Sequence, residues 1–381
     1  MTRPLRVLLL IDAFRMGGAE TLLAPLAVAF RDSNVEMEFV SVLDASADAA
    51  KTNEILTEAG VVTRALGIKR LLDPTAIPKV VREIRRADFD VVHAHLEMAT
   101  TLAVPAAAIA GRSAVCTFHH VARPLTGREG ARERLAVAAA GHAYRALFVS
   151  QASRDSFQEI YRPKGLPSNW DVMHNGIDIG NFVPGPADAE VRAELGGTEG
   201  PLVVLPAAFR DFKGIPSAIR AWPLVLERFP DAVLSLVGGG SAEAELRAEV
   251  AAAGVGQNVV FAGVRSDMPK VYRAADVVLL PSIHGENLPT VLIEAAASGR
   301  VVAASRTGGI SDIVVHGETG MLFEPNNPRA LADTVIELLA DPGRCRTLGE
   351  AAVIRARSEF SASSWAERLY ALYAEAAGKK R

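Results

Sequence analysis

The 381-residue chain holds only two cysteines, Cys116 and Cys345. Two thiols cannot build a disulfide framework, and neither has a metal-type neighbour at ligand spacing. Cys116 lies in the apolar run Ser113–Phe118 and reads as a small core residue. The thiol count suits a reducing, cytoplasmic compartment. A charge excess is also missing: 41 basic side chains face 44 acidic ones, for a net charge of −3. That argues against nucleic acid as the main partner, because phosphate recognition needs a strong basic surplus. No apolar run reaches about 18 residues, so no membrane span is expected. The N-terminal apolar stretch Val7–Ile11 is interrupted by Asp12, short of the roughly 7–15 residues of a secretory signal. Repeats and low-complexity tracts are absent.

What remains is an ordinary globular composition, 49% hydrophobic and 22% charged, with a length that points to two domains. Short apolar runs alternate with helical patterns. Arg6–Asp12, Glu38–Leu43, Val91–His95, Ala114–Phe118 and Ala146–Ser150 read as strands, with helices over Ala19–Phe30 and Ile77–Arg86. Continuous rather than alternating apolar strands indicate a parallel sheet covered on both faces. Asn175–Gly200, rich in Gly, Pro and Asn, is linker chemistry. The alternation then restarts. Leu202–Leu205, Ala232–Val237, Val259–Phe261, Val277–Leu280 and Val301–Ala304 are predicted strands. Pro216–Phe229, Ala242–Ala253, Met268–Ala274, Thr290–Ala297 and Arg329–Leu339 are predicted helices. Two doubly wound Rossmann-like α/β domains follow, over residues 1–182 and 183–361. An amphipathic helix, Ala362–Ala377, closes the chain with Ser361 or Ser363 as N-cap.

Ligands of open parallel sheets sit beyond the carboxyl ends of the strands, so the residues there carry the functional reading. The first strand ends near Gly17 and Gly18, where backbone N–H groups can approach a phosphate at a helix start; a bare structural turn explains the same pair. Glu286-Asn287-Leu288-Pro289-Thr290 and Glu294 follow a strand and a turn. Pro289 suits the first helical position, which leaves the N–H groups of Asn287 to Thr290 free for a diphosphate. Glu286 would face a sugar, and Glu294 would accept two ribose hydroxyls. The competing reading is a solvated helix with two unrelated acids. Arg210 and Lys213 follow another strand and would neutralise a departing diphosphate. Gly238 opens a glycine turn that lacks the full dinucleotide spacing. His119 ends a strand where an imidazole can meet a sugar, whereas His93 and His95 are better read as structural. Asp88-Phe-Asp90 has the form of a metal-binding DxD, but it sits at the wrong end of the sheet and is rejected.

With these residues in place, the chain resembles the family-4 (group 1) retaining glycosyltransferases of the GT-B fold. The matching segments are Met16–Glu20, Val91–His95, Thr117–His119, His174–Asp178, Lys213–Gly214, Glu286–Ala295 and Thr307–Gly320. The resemblance implies two domains facing across a cleft, with the last helix, about 362–381, crossing back to the acceptor-side first domain. It implies that Gly17 and Gly18 approach phosphate or acceptor and that His119 contacts the transferred sugar. Glu286 would bind sugar hydroxyls, Lys213 and an arginine the diphosphate, Glu294 the ribose, and Val264 with Arg265 would border the base. It also implies a nucleotide-sugar donor, a hydroxyl acceptor, and no metal or other cofactor. One departure is Ala208, where members commonly carry the arginine five residues before the lysine; Arg210 is the replacement expected from the same turn.

The expected chemistry is leaving-group stabilisation by Arg210, Lys213 and the helix opening, with attack from the same face. Polysaccharide or cell-envelope synthesis is the expected setting. The alternatives are an epimerase of the same architecture and a catalytically weak sugar-nucleotide-binding module. The arginines of Arg123–Arg134 raise a peripheral membrane contact at the inner face, with a lipid-linked acceptor, as an alternative to a plain solvated helix face.

Overall fold

The computed structural model describes residues 3–14, 22–31, 33–43, 49–198 and 200–379. Gly17 and Gly18 lie outside the described residues. Two compact units emerge, one of Met1–Asp178 with Ser361–Arg381, the other of Ile179–Phe360.

The first unit carries seven strands: β1 (Leu5–Ile11), β2 (Val35–Ser41), β3 (Thr63–Ala65), β4 (Val91–His95), β5 (Ser113–Phe118), β6 (Arg145–Phe148) and β7 (Trp170–Val172). All pair in parallel, in the order β3-β2-β1-β4-β5-β6-β7. Around them lie α1 (Leu23–Phe30), α2 (Ala49–Glu58), α3 (Ala76–Arg86), α4 (Glu97–Ala110), α5 (Gly127–Ala140) and α6 (Gln151–Tyr161). Val7–Ile11 is fully buried, as a central parallel strand covered on both faces requires. The order reverses between β1 and β4, so the ends of these two strands flank a switch point, where a doubly wound sheet opens a crevice.

The second unit begins with α7 (Ala189–Glu194), a helix within the predicted linker, capped by the Asp188 carboxylate on the Glu190 and Val191 amides. Its strands are β8 (Leu202–Pro206), β9 (Val233–Val237), β10 (Val259–Gly263), β11 (Val277–Leu280), β12 (Val302–Ser305) and β13 (Met321–Phe323), ordered β10-β9-β8-β11-β12-β13. The helices are α8 (Ile215–Leu226), α9 (Glu243–Ala252), α10 (Met268–Ala274), α11 (Thr290–Ala297), α12 (Ile310–Ile313), α13 (Pro328–Ala340) and α14 (Pro342–Glu359). Its switch point lies between β8 and β11.

The last helix, α15 (Ala362–Gly378), belongs to the first unit. Ser361 caps it, its Oγ accepting from the Ser364 amide at 3.1 Å. Trp365, Leu369 and Tyr373 are buried, and the helix packs on α1, β1, β4 and β5. The two DxD carboxylates are occupied at the amino edge: Arg112 holds Asp88, and Arg3 holds Asp90 at 2.6 Å.

Candidate active site

In the second unit the chain leaves β8 and passes Arg210 into one 3-10 turn, Asp211–Lys213, closed by Gly214 at φ 67°. A Cβ on Gly214 would lie 1.9 Å from the Pro281 carbonyl oxygen, so only glycine lets this turn press against the loop after β11. The Ile283 amide donates to the Phe212 carbonyl across the same contact, at 2.7 Å.

That close approach brings Lys213 to Glu286. Lys213 Nζ donates to Glu286 Oε1 at 2.5 Å, and Ser282 Oγ donates to the same oxygen at 2.5 Å. Glu286 is only 6% exposed; a carboxylate this deep requires such pairing. Its second oxygen accepts from no described side chain or amide, which leaves it for a hydroxyl. The Gly309 amide donates to the Glu286 carbonyl at 3.1 Å. Gly308, at φ 54°, sits so close that a Cβ would come within 1.9 Å of that carbonyl. Loops after β8, β11 and β12 thus converge on one residue. Glu286, expected to face a sugar, is buried here and bonded to Lys213.

Helix α11 starts at Thr290, with Pro289 as its extended N-cap residue. Pro289, expected at the first helical position, therefore stands one place before it. The Leu288 and Thr290 amides donate to no group among the described residues, as the opening turn of a helix leaves them. Glu294 lies inside α11 and accepts from the Tyr272 hydroxyl at 2.7 Å. Burial raises its pKa, while the Tyr272 and Thr290 hydroxyls draw it back down. Arg210 is exposed and forms no ion pair among the described residues. Gly238 follows β9, its amide donating to the Gly263 carbonyl at 2.8 Å. Val264 beside it is 84% exposed. Arg265 is held by Glu194 at 2.5 Å and Asp267 at 2.6 Å.

At the β1/β4 switch of the first unit, Asp12 caps α4, accepting from the Ala99 amide at 2.6 Å and the Met98 amide at 3.2 Å. Burial lifts its pKa to about 7 against those two bonds. Leu96, between β4 and α4, adopts φ 73°, a strained conformation for a non-glycine residue and one that clusters at functional sites. His119 Nε2 lies 2.8 Å from His95 Nδ1, and its Nδ1 is 3.4 Å from Asn175 Nδ2. Burial pushes the His119 pKa down to about 3, so the ring is neutral near pH 7. His93 is structural as expected, bridging Thr117 at 2.8 Å and the Tyr373 hydroxyl at 2.5 Å. His95 is fully buried too, but it also orients His119.

Asp12, Leu96, Asn175, Tyr272 and Ser282 escaped the sequence reading. Asp12 could have been found as the first polar residue beyond β1. Asn175 and Tyr272 join through contacts 56 and 22 residues away in sequence, and Leu96 through backbone strain, which no local pattern shows; Ser282 lies only four residues before Glu286, but its bond depends on the fold of the intervening turn. Among the described residues, metal-type donors cluster at Glu97, His120 and Glu133. There His120 already faces a carboxylate from each ring nitrogen, Glu133 at 2.6 Å and Glu97 at 3.5 Å. Within the segment Arg123–Arg134, Glu133 is buried, whereas Arg123, Arg128, Arg132 and Arg134 are exposed.

Residues 188–355 match the family described as "Glycosyl transferases group 1", and residues 16–181 match "Glycosyltransferase Family 4". The chain belongs to the group 1 glycosyl transferases. Proteins similar to it include a "GDP-mannose-dependent alpha-(1-6)-phosphatidylinositol monomannoside mannosyltransferase" of Mycolicibacterium smegmatis. That protein is 33% identical over 54% of this chain and 55% of its own length. A "D-inositol 3-phosphate glycosyltransferase" of Corynebacterium efficiens is 35% identical over 55% of this chain and 52% of its own. The matches thus span about half the length of both relatives. The Anabaena protein Alr3699/HepE, solved in complex with UDP, superposes with a TM-score of 0.83 over 97% of this chain and all of that one, at 24% identity. This likeness establishes the GT-B fold of two Rossmann-like units. No helix among the described residues is long and apolar enough to cross a membrane.

Proposed function

We propose that the protein moves a sugar, with retention and without a metal, from a nucleoside-diphosphate sugar to a hydroxyl acceptor. The observation that carries this reading is the Lys213–Glu286 pair at 2.5 Å, on a loop that leads directly into the open amides of α11. Lys213 and those amides supply positive charge where a diphosphate would gather negative charge as the glycosidic bond breaks. Arg210, exposed on the same turn, adds a second cation. Glu286 keeps one oxygen for sugar hydroxyls, and Glu294, one turn into α11, offers a buried acceptor for ribose. Val264 and the turn at Gly238 border the base, with Arg265 held by carboxylates beside them. In the first unit His119, kept neutral by burial, would meet a sugar hydroxyl by exchanging its 3.4 Å contact with Asn175, without adding charge. The departing phosphate takes the acceptor's proton.

The acceptor class we propose is a glycolipid or polysaccharide precursor of the cell envelope, met in the cytoplasm, with the exposed arginines of Arg123–Arg134 on an anionic bilayer surface. The relatives' names, an inositol phosphate and a phosphatidylinositol mannoside, support that class.

The test is a donor panel of UDP-, GDP- and ADP-sugars scored by binding, then acceptor trials with the best donor. Lys213→Ala should lower turnover about 100-fold or more, as loss of one oxyanion donor does. Glu294→Ala should weaken donor binding about 10- to 100-fold, the worth of a charged hydrogen bond. Unchanged values in both variants refute the assignment.

A further inference from the structure

The second unit holds a cavity of about 530 Å³ beside the first residues of β11 and β12, at the opposite edge of the sheet from Lys213 and Glu286. Arg192, Asp276, Arg300 and Arg346 line its polar side, and Val301, Leu338 and Leu339 its apolar side. The volume falls within the roughly 300–1,000 Å³ of small-molecule sites.

The charges do not balance. Arg192 is spent within the fold, on Asp276 at 2.8 Å and the Gly200 carbonyl at 3.0 Å. Arg300 makes one bond from its guanidinium, to the Gly185 carbonyl at 3.0 Å. Its Nε is buried without a partner. Burial presses the Arg300 pKa down; Asp276 opposes this, while the nearby Arg192 and Arg273 reinforce it. Arg346 is exposed and forms no ion pair among the described residues. One carboxylate, already paired, therefore serves three arginines. A buried donor left open beside a second free cation is an unusual expense in a folded protein. Guanidinium groups answer it best with a phosphate, which accepts two parallel N–H bonds.

We propose that this cavity is a second anion site, binding a small organic phosphate with its phosphate on Arg300 and Arg346 and its carbon skeleton against Leu338 and Leu339. It is separate from the proposed donor site and does not depend on it. Arg300 stands three residues beyond the end of α11, so an occupant would sit at the tail of the helix whose opening carries the donor reading.

Calorimetric titration of the full chain with glycerol 3-phosphate, inorganic phosphate and glycerol tests this. The two phosphates should bind, glycerol 3-phosphate more tightly, and glycerol should not. Arg346→Glu, at an exposed position without structural bonds, should weaken glycerol 3-phosphate at least tenfold. Arg300→Gln should do the same, and Lys213→Ala should leave that affinity unchanged. Absence of binding by either phosphate, wild-type affinity in Arg346→Glu, or loss of binding in Lys213→Ala alone would overturn the proposal.

Discussion

The histidines of the first unit set a pH dependence that can be worked out residue by residue. Burial takes His93 and His119 down to about 3 and His95 well below its ordinary value. In the unfolded chain each takes a proton below about pH 6.5, while the native ring stays neutral. Stability is therefore complete above about 6.5 and falls as the pH drops toward 3, by about 1.4 kcal/mol per unit for each group. Asp12 acts in the other direction. Its pKa is raised from 3.8 to about 7, so the native state holds a proton the unfolded chain has lost, and stability falls as the pH rises through that interval. Three histidines outweigh one aspartate, and net stability should decline on acidification. His119→Asn should roughly halve the slope of unfolding free energy between about pH 5 and 6.5 in urea titrations. An unaltered slope would mean that the ring is not buried in its neutral form.

At the level of elements, the candidate donor site depends on turns more than on strands. Gly308 and Gly254 both have positive φ, 54° and 70°, so alanine at either costs about 1–2 kcal/mol in backbone conformation. Their surroundings differ. Nothing lies within 4 Å of a Cβ at Gly254, whereas at Gly308 it would meet the Glu286 carbonyl. Gly254→Ala should lower the melting temperature slightly and leave nucleotide affinity alone. Gly308→Ala should destabilise by several times as much and weaken nucleotide-sugar binding by displacing Glu286. Equal effects of the two substitutions would show that the turn after β12 does not position the acid.

Over the whole molecule, the first unit is assembled from both ends of the chain. Leu369 on α15 is fully buried, and Leu369→Ala should cost about 2–5 kcal/mol, as emptied core sites do. The loss belongs to one unit. Hydrogen exchange should accelerate in β1 and β4, which α15 covers, and remain unchanged in β8 and β11. Uniform acceleration across both units would contradict the division of the chain at Asp178 and Ser361.

Strand runs such as Val7–Ile11 and Val277–Leu280 were legible because a parallel strand buried on both faces must be apolar without interruption, a rule written in adjacent residues. The α/β class, the restart after the linker and the Ser361-capped final helix were legible for similar local reasons. The candidates Lys213 and Glu286 could be named because each stands in a loop beyond a strand end, and Glu294 because it lies on the helix that follows that loop. Helix α4 was not: Met98–Thr100, Leu102–Val104 and Ala106–Ala107 are all buried, and a helix apolar on most sides has no amphipathic period to read. Nor could the sequence reveal that Lys213 is bonded to Glu286, 73 residues away, that Tyr272 bonds Glu294, or that His95 holds His119. Periodicity reports which face of an element is buried. Which residue meets which across that face follows from strand order and from turns tight enough to exclude a Cβ, and those exist only once the chain has folded.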